Sequence, residues 1–189
     1  MFRHDLASLR AAIAGGERFK FLYFWGHTGR GSEVRQECFS QWYDSRFFLD
    51  GVSFATAEHY MMHHKALLFG DDETAQRVLK ANTPGEAKAL GRSVRGFDEA
   101  VWVRQRLEIV VAGNVAKFSQ SNRLRSFLLS THDRVLVEAS PVDRIWGIGL
   151  EANHPDAGNP AKWPGENLLG FALMEVRKKL LRSDVPPAG

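Results

Sequence analysis

Residues 57–69 read AEHYMMHHKALLF, a run that sets one carboxylate, three imidazoles and one ammonium among apolar side chains. Helical periodicity begins at Thr56, which suits an N-cap, and Glu58 falls in the first turn, where the helix dipole favours a negative charge. On such a helix Glu58, Met61, Met62 and Lys65 recur at steps of three, four and seven, so the acid and the amine share one face. At ~1.5 Å of rise per residue they stand about 10 Å apart. That is too far for a direct ion pair. It suits the two ends of one bound ligand, or else a capping Glu58 and a Lys65 whose stem lies on apolar surface with its amine in water.

The flanking pattern places this helix in a mixed fold. MFRHDLASLRAAIAGG reads as an amphipathic helix stopped by two glycines, and ERFKFLYFWG as a buried strand ending at glycine. In SRFFLDGVSF the Asp50-Gly51 pair between apolar runs signals a two-residue hairpin. DDETAQRVLKAN continues the helix beyond residue 69. TPGEAKALG supplies Thr83 as N-cap, Pro84 at the first position and Glu86 three residues after the cap, with Gly91 expected to close the helix. A longer helix from about Asp98 carries Val103, Leu107, Val110, Val111, Asn114 and Phe118 on one stripe. SNRLRSFLLS adds a short helix, RVLVEAS a strand, and LLGFALMEVRKKLL a final helix with basic residues in its last turns.

The expectation is therefore α+β, predominantly helical with a small sheet, and the absence of a strand–helix alternation argues against a doubly wound nucleotide fold. Residues 1–17 are expected as an N-terminal helix, 18–182 as a single domain and 183–189 as a disordered tail. With 189 residues and 44% hydrophobic content, one core is affordable.

The 13 Phe and 5 Trp fit a tight core or a pocket that stacks planar rings. A formal net charge of +3 and a pI near 9.2 fit contact with phosphates or DNA and RNA, and equally an ordinary soluble protein. The single Cys38 excludes an internal disulfide and a multi-cysteine metal site. No secretory pattern and no run of roughly twenty apolar residues is present, so a cytoplasmic protein without membrane contact is expected. His59 and His63 are four apart, yet the HExxH order is absent, and structural histidines are expected with no metal. No cofactor is implied.

Residues 143–167, DRIWGIGLEANHPDAGNPAKWPGEN, are crowded with Gly, Pro and Asn. So long an irregular stretch in a compact domain points to function. Its DRIWGIG offers a carboxylate, an indole and two glycines that let backbone approach a ligand, or an aromatic anchor beside a turn. Arg30 and Arg35 suit phosphate binding or plain solvation.

Taken together, FSQW (39–42), TAEHYMMHHKALLF (56–69), LGR (90–92), the Trp102–Phe118 helix, DRIWGIG and GENLLGFALMEVR (165–177) resemble the NADAR or YbiA-like N-glycosidase family in order and spacing, over roughly residues 20–180. Gln41-Trp42 stands where many members show Asn-Phe, and Ala57 where Ser is common. The resemblance implies hydrolysis of a ribose–nitrogen bond. Two substrate classes are implied, ADP-ribose attached to guanine in nucleotides or nucleic acid, and phosphorylated ribosyl aminopyrimidines of riboflavin biosynthesis. A non-catalytic ADP-ribose-binding module is the third reading.

Breaking that bond leaves positive charge on the sugar and negative charge on the nitrogen, so an anion and a proton donor are required. On that footing Glu58, Asp143 and Lys65 are the expected catalytic residues, with Lys65 able to capture C1′ as a Schiff base. Trp146 is expected to stack on the base, with Gly147, Gly149, Asn167, Arg30, Arg35, Phe24 and Trp42 as further ligand contacts; Asn167 suits a sugar hydroxyl, a phosphate or a helix cap.

Overall fold

The computed structural model describes residues 4–28 and 33–183. Arg30 and residues 184–189 of the expected tail lie outside the described residues. The chain divides into two compact units, residues 41–122 and residues 1–40 together with 123–189. Among the described residues there are seven α-helices and two two-stranded sheets, the expected α+β class with its small sheet in two pieces.

The 41–122 unit is built round α2, Ala57–Leu68. Before it, β2 (Phe47–Leu49) and β3 (Val52–Phe54) pair antiparallel across Asp50-Gly51. Those two residues have φ of 50° and 78°, the left-handed pair that a two-residue hairpin demands. Thr56 caps α2, its hydroxyl accepting the N–H of His59. Helices α3 (Asp72–Leu79), α4 (Pro84–Arg92) and α5 (Glu99–Ser119) all pack on α2. Phe47, Phe54 and Tyr60 form an aromatic core with Ala57 and Ala116.

Three local expectations are corrected. α2 does not run on into DDETAQRVLKAN, because Gly70 turns the chain at φ 71° and Asp71 begins α3 by accepting the N–H of Thr74 at 3.2 Å. Gly91 does not close α4, which continues to Arg92 and is capped by Ser93. It is a contact residue instead, since a Cβ there would overlap the Met62 sulfur. On α5, Val110, Asn114 and Phe118 are buried as expected, whereas Val103 is 46% exposed, and Arg106, Gly113, Ala116 and Lys117 complete the buried face. The capping box at Thr83 forms with one shift, the Glu86 carboxylate accepting from Asn82 N–H at 2.8 Å.

In the other unit, β1 (Phe21–Phe24) pairs in parallel with β4 (Val135–Glu138). β1 is half-buried along its length and only Phe24 is fully covered. Helix α1 (Leu6–Ala14) is capped by Asp5, α6 spans Asn122–Leu129, and α7 (Leu168–Ser183) lies on β4. Gly170 permits that approach, as a Cβ there would overlap the Leu136 carbonyl. No helix among the described residues is long and apolar enough to cross a membrane.

Gly113 of α5 faces the Tyr60 ring so closely that a Cβ would overlap it, and Tyr60 is backed by Phe47 and Phe54. Gly113→Ala is expected to lower stability by about 1–3 kcal/mol in denaturant unfolding, through overpacking. Gly113→Ala combined with Tyr60→Leu is expected to lose less than the two single changes added together.

Candidate functional site

Burial of α2 obliges each of its polar groups to find a partner. His59 Nε2 lies 3.2 Å from the Ala81 carbonyl and its Nδ1 2.8 Å from Thr56 Oγ1. A neutral ring protonated on Nε2 satisfies both, donating to the carbonyl and accepting from the hydroxyl. His63 Nδ1 donates to the Ala75 carbonyl at 3.0 Å and His64 Nδ1 to that of Tyr60 at 3.1 Å. The His64 ring stacks on Tyr60 with centroids 3.9 Å apart. Burial lowers the pKa of His59 and His64 and, with Asp50 adding to it, pushes Tyr60 up to about 12. These imidazoles are structural, and among the described residues no three His, Cys, Asp or Glu side chains group as a metal site.

Glu58 and Lys65 serve α2 differently. Glu58 is buried, and its N–H donates to the Gln41 carbonyl at 2.9 Å, which ties the first turn of α2 to the chain before the hairpin. Lys65 is half-buried, with Nζ donating to the Gly91 carbonyl at 2.7 Å. The ammonium also lies 4.3 Å from the centre of the Phe97 ring and 5.6 Å from that of Trp102. Burial lowers its pKa, which favours the neutral, nucleophilic amine. The amine points to a carbonyl and two rings.

Sequence pattern gives no role to Phe97, to Trp102 or to a Gln41–Asn114 pair. Asn114 Nδ2 donates to Gln41 Oε1 at 2.7 Å and to the Val110 carbonyl at 2.9 Å, and both side chains are buried. The one hint was an Asn on an otherwise apolar stripe. Trp42 is half-buried beside Gly85, with the Lys88 ammonium 5.8 Å from its ring centre.

In the other unit the 143–149 turn gathers Asp143, Trp146, Gly147 and Gly149. Asp143 Oδ1 accepts the N–H groups of Ile145 and Trp146 at 2.9 and 2.8 Å, so this carboxylate shapes the turn. The turn is laced to the start of α7 by Glu166 N–H on the Arg144 carbonyl, Asn167 N–H on that of Gly147 and Leu169 N–H on that of Trp146. Trp146 is half-buried. A Cβ on Gly147 would sit 2.9 Å from the Glu138 carbonyl oxygen, and Gly149 has φ 72°, so both glycines are required by the turn itself.

Three of the expected ligand contacts take other positions. Phe24 is 2% exposed and packs edge-on against Phe39 at 5.5 Å, which makes it core. Asn167 is fully buried, its Oδ1 accepting from Glu138 N–H and its Nδ2 donating to the Leu136 carbonyl, both at 2.9 Å. Its amide is spent on β4 and is not offered to a sugar or phosphate. Arg35 is exposed and paired at 3.3 Å with Glu33, a weak surface contact.

The fold matches that of a solved structure, the NMR structure of the E. coli protein YbiA, with a TM-score of 0.69, 24% identity and 92% of each chain covered. A family model described as NADAR domain matches residues 23–181, and the chain belongs to that family. Among its relatives is the N-glycosidase R617 of Acanthamoeba polyphaga mimivirus, 42% identical over 168 residues, covering 86% of this chain and 98% of the relative. Another is the chloroplastic riboflavin biosynthesis protein PYRR of Zea mays, 34% identical over 139 residues, covering 70% of this chain and 20% of that one. The chain is an enzyme of the N-glycosidase class, a hydrolase of glycosidic bonds.

Two outcomes follow from this geometry. Asn167→Ala removes two buried hydrogen bonds and is expected to cost about 2–3 kcal/mol in chemical unfolding. His59 and His64 hold pKa values below the ordinary 6.5, so the unfolded chain takes up protons first as pH falls. Their contribution is complete above about pH 6.5 and lost below it. The thermal midpoint is expected to fall between pH 7 and 5.5, with a flatter fall in His59→Gln.

Proposed function

We propose that this enzyme hydrolyses the ribose–nitrogen bond of ADP-ribosylated guanine, in nucleotides or in nucleic acid, releasing ADP-ribose, and that it does so in the cytoplasm without a cofactor. The observation that carries the chemistry is Lys65, an amine half-buried among aromatic rings with a lowered pKa, two turns from a buried carboxylate on the same helix face. The mild positive charge and the long 143–167 segment support the larger of the substrates considered.

The reaction runs in two stages. The furanose of an N-riboside opens when its ring oxygen takes a proton, leaving C1′ joined to the base nitrogen as an imine. The neutral Lys65 amine adds to C1′, and the base nitrogen departs with a proton from the acidic form of Glu58, leaving C1′ bound to Nζ as a protonated imine. Water then adds to C1′, and its collapse to the aldehyde returns the electron pair to Nζ. The sugar recloses, and the sum is one water consumed and one C1′–N bond broken. Asp143 is assigned to holding the turn that carries Trp146, through the N–H groups of Ile145 and Trp146.

The maize relative favours a second reading, release of ribose 5-phosphate from phosphorylated ribosyl aminopyrimidines. The same lysine chemistry serves it, since the leaving nitrogen is again an exocyclic amine.

With ADP-ribosylated guanosine and borohydride, the chain is expected to gain a reduced adduct on Lys65. Lys65→Ala and Glu58→Gln are each expected to lose about 10² or more in kcat. Full activity in Lys65→Ala with no trapped adduct removes the lysine from the reaction. Turnover of the aminopyrimidine alone transfers the assignment to the second substrate, and tight ADP-ribose binding without turnover of either makes the chain a binding module.

A further inference from the structure

Lys65 lies under two rings to which sequence pattern assigns no role. Its Nζ stands 4.3 Å from the centre of Phe97 and 5.6 Å from that of Trp102, and the Gly91 carbonyl accepts its proton at 2.7 Å. Phe97 is itself held in place, following Gly96 at φ 67° and meeting the Phe69 ring edge-on at 5.3 Å. It remains 45% exposed. A half-exposed ring kept over a half-buried amine is poorly explained by burial of the ring alone.

We propose that Phe97 and Trp102 are positioning residues, forming an aromatic enclosure that holds the Lys65 amine at the station from which it attacks C1′. This rests on the lysine chemistry proposed above. Three contacts define the station, two ring faces and one carbonyl, so the flexible four-carbon stem is ordered before substrate arrives. The ring faces and the carbonyl attract the ammonium, while the surrounding apolar groups disfavour it. Burial is the cause of the lowered pKa; the charged and titratable groups on the packed elements include Lys88 and Arg92 of α4, Arg106 of α5, and Glu58 and the histidines of α2. The rings therefore offset part of the burial effect and hold the amine in place until substrate displaces it.

The test separates attraction by the rings from mere apolar cover. Leucine keeps the cover and removes the ring quadrupole, so Phe97→Leu and Trp102→Leu ease deprotonation of Lys65. The acid limb of Lys65 trapping, followed with ADP-ribosylated guanosine and borohydride across pH, is expected to move down by about half a pH unit in each variant. The plateau rate is expected to fall about tenfold, because the amine loses its fixed place. Phe97→Tyr is expected to restore both limb and plateau. Where Trp102→Leu does not fold, the exposed Phe97→Leu decides alone. Normal trapping in the parent chain with an unmoved limb and plateau in Phe97→Leu overturns the enclosure and leaves the lysine chemistry standing. No adduct in the parent chain overturns both.

Discussion

The structure of the 41–122 unit depends on one obligation, the burial of a helix that carries ionisable groups on most of its circumference. An unpartnered polar group in an apolar interior costs several kcal/mol, so the neighbours of α2 must bring acceptors to it. They do so mainly with backbone. Ala75, Ala81 and Gly91 present carbonyls to His63, His59 and Lys65, and each lies on or beside an element packed against α2. The polar residues thus fix where α3 and α4 stand as firmly as any apolar contact, and a helix that looks ill suited to a core becomes its organiser.

That arrangement also separates the chemistry by depth. Each imidazole bonds a backbone carbonyl, whereas the amine is only half-buried and meets two rings. On the proposed lysine chemistry, an amine anchored this way inherits the rigidity of the helix without being sealed within it. The carboxylate at the first turn of α2 is tied through its own backbone N–H to Gln41, so acid and amine are held at the two ends of a single stiff rod.

What the sequence disclosed was local. Asp50-Gly51, Thr56 and Thr83 act through their own few residues, and all three behave as their chemistry demands. The shared face of Glu58 and Lys65 follows from helix geometry alone. Gly91 and Val103 were misread because the deciding partners, Met62 and the packed face of α2, lie far off in the chain. Phe24 and Asn167 were misread for a similar reason: strand pairing decides which side of β1 is covered and where a buried amide finds its bonds. Phe97 had no signal at all, because a single aromatic after a glycine becomes meaningful only when an amine is known to sit beneath it.

The amide of Asn167 has a consequence for how the protein behaves in a crowded solution. The N–H groups of Val135 in β4 and of Ala139 just after it pair toward β1, while Leu136 and Glu138 direct theirs outward. An open outer margin on a parallel ribbon invites a foreign strand to dock. Here the Leu136 carbonyl and both backbone groups of Glu138 are already taken, by the Asn167 side chain and by the N–H of Ile148. One asparagine and one turn thus occupy the β4 margin of the ribbon where a foreign strand would otherwise pair.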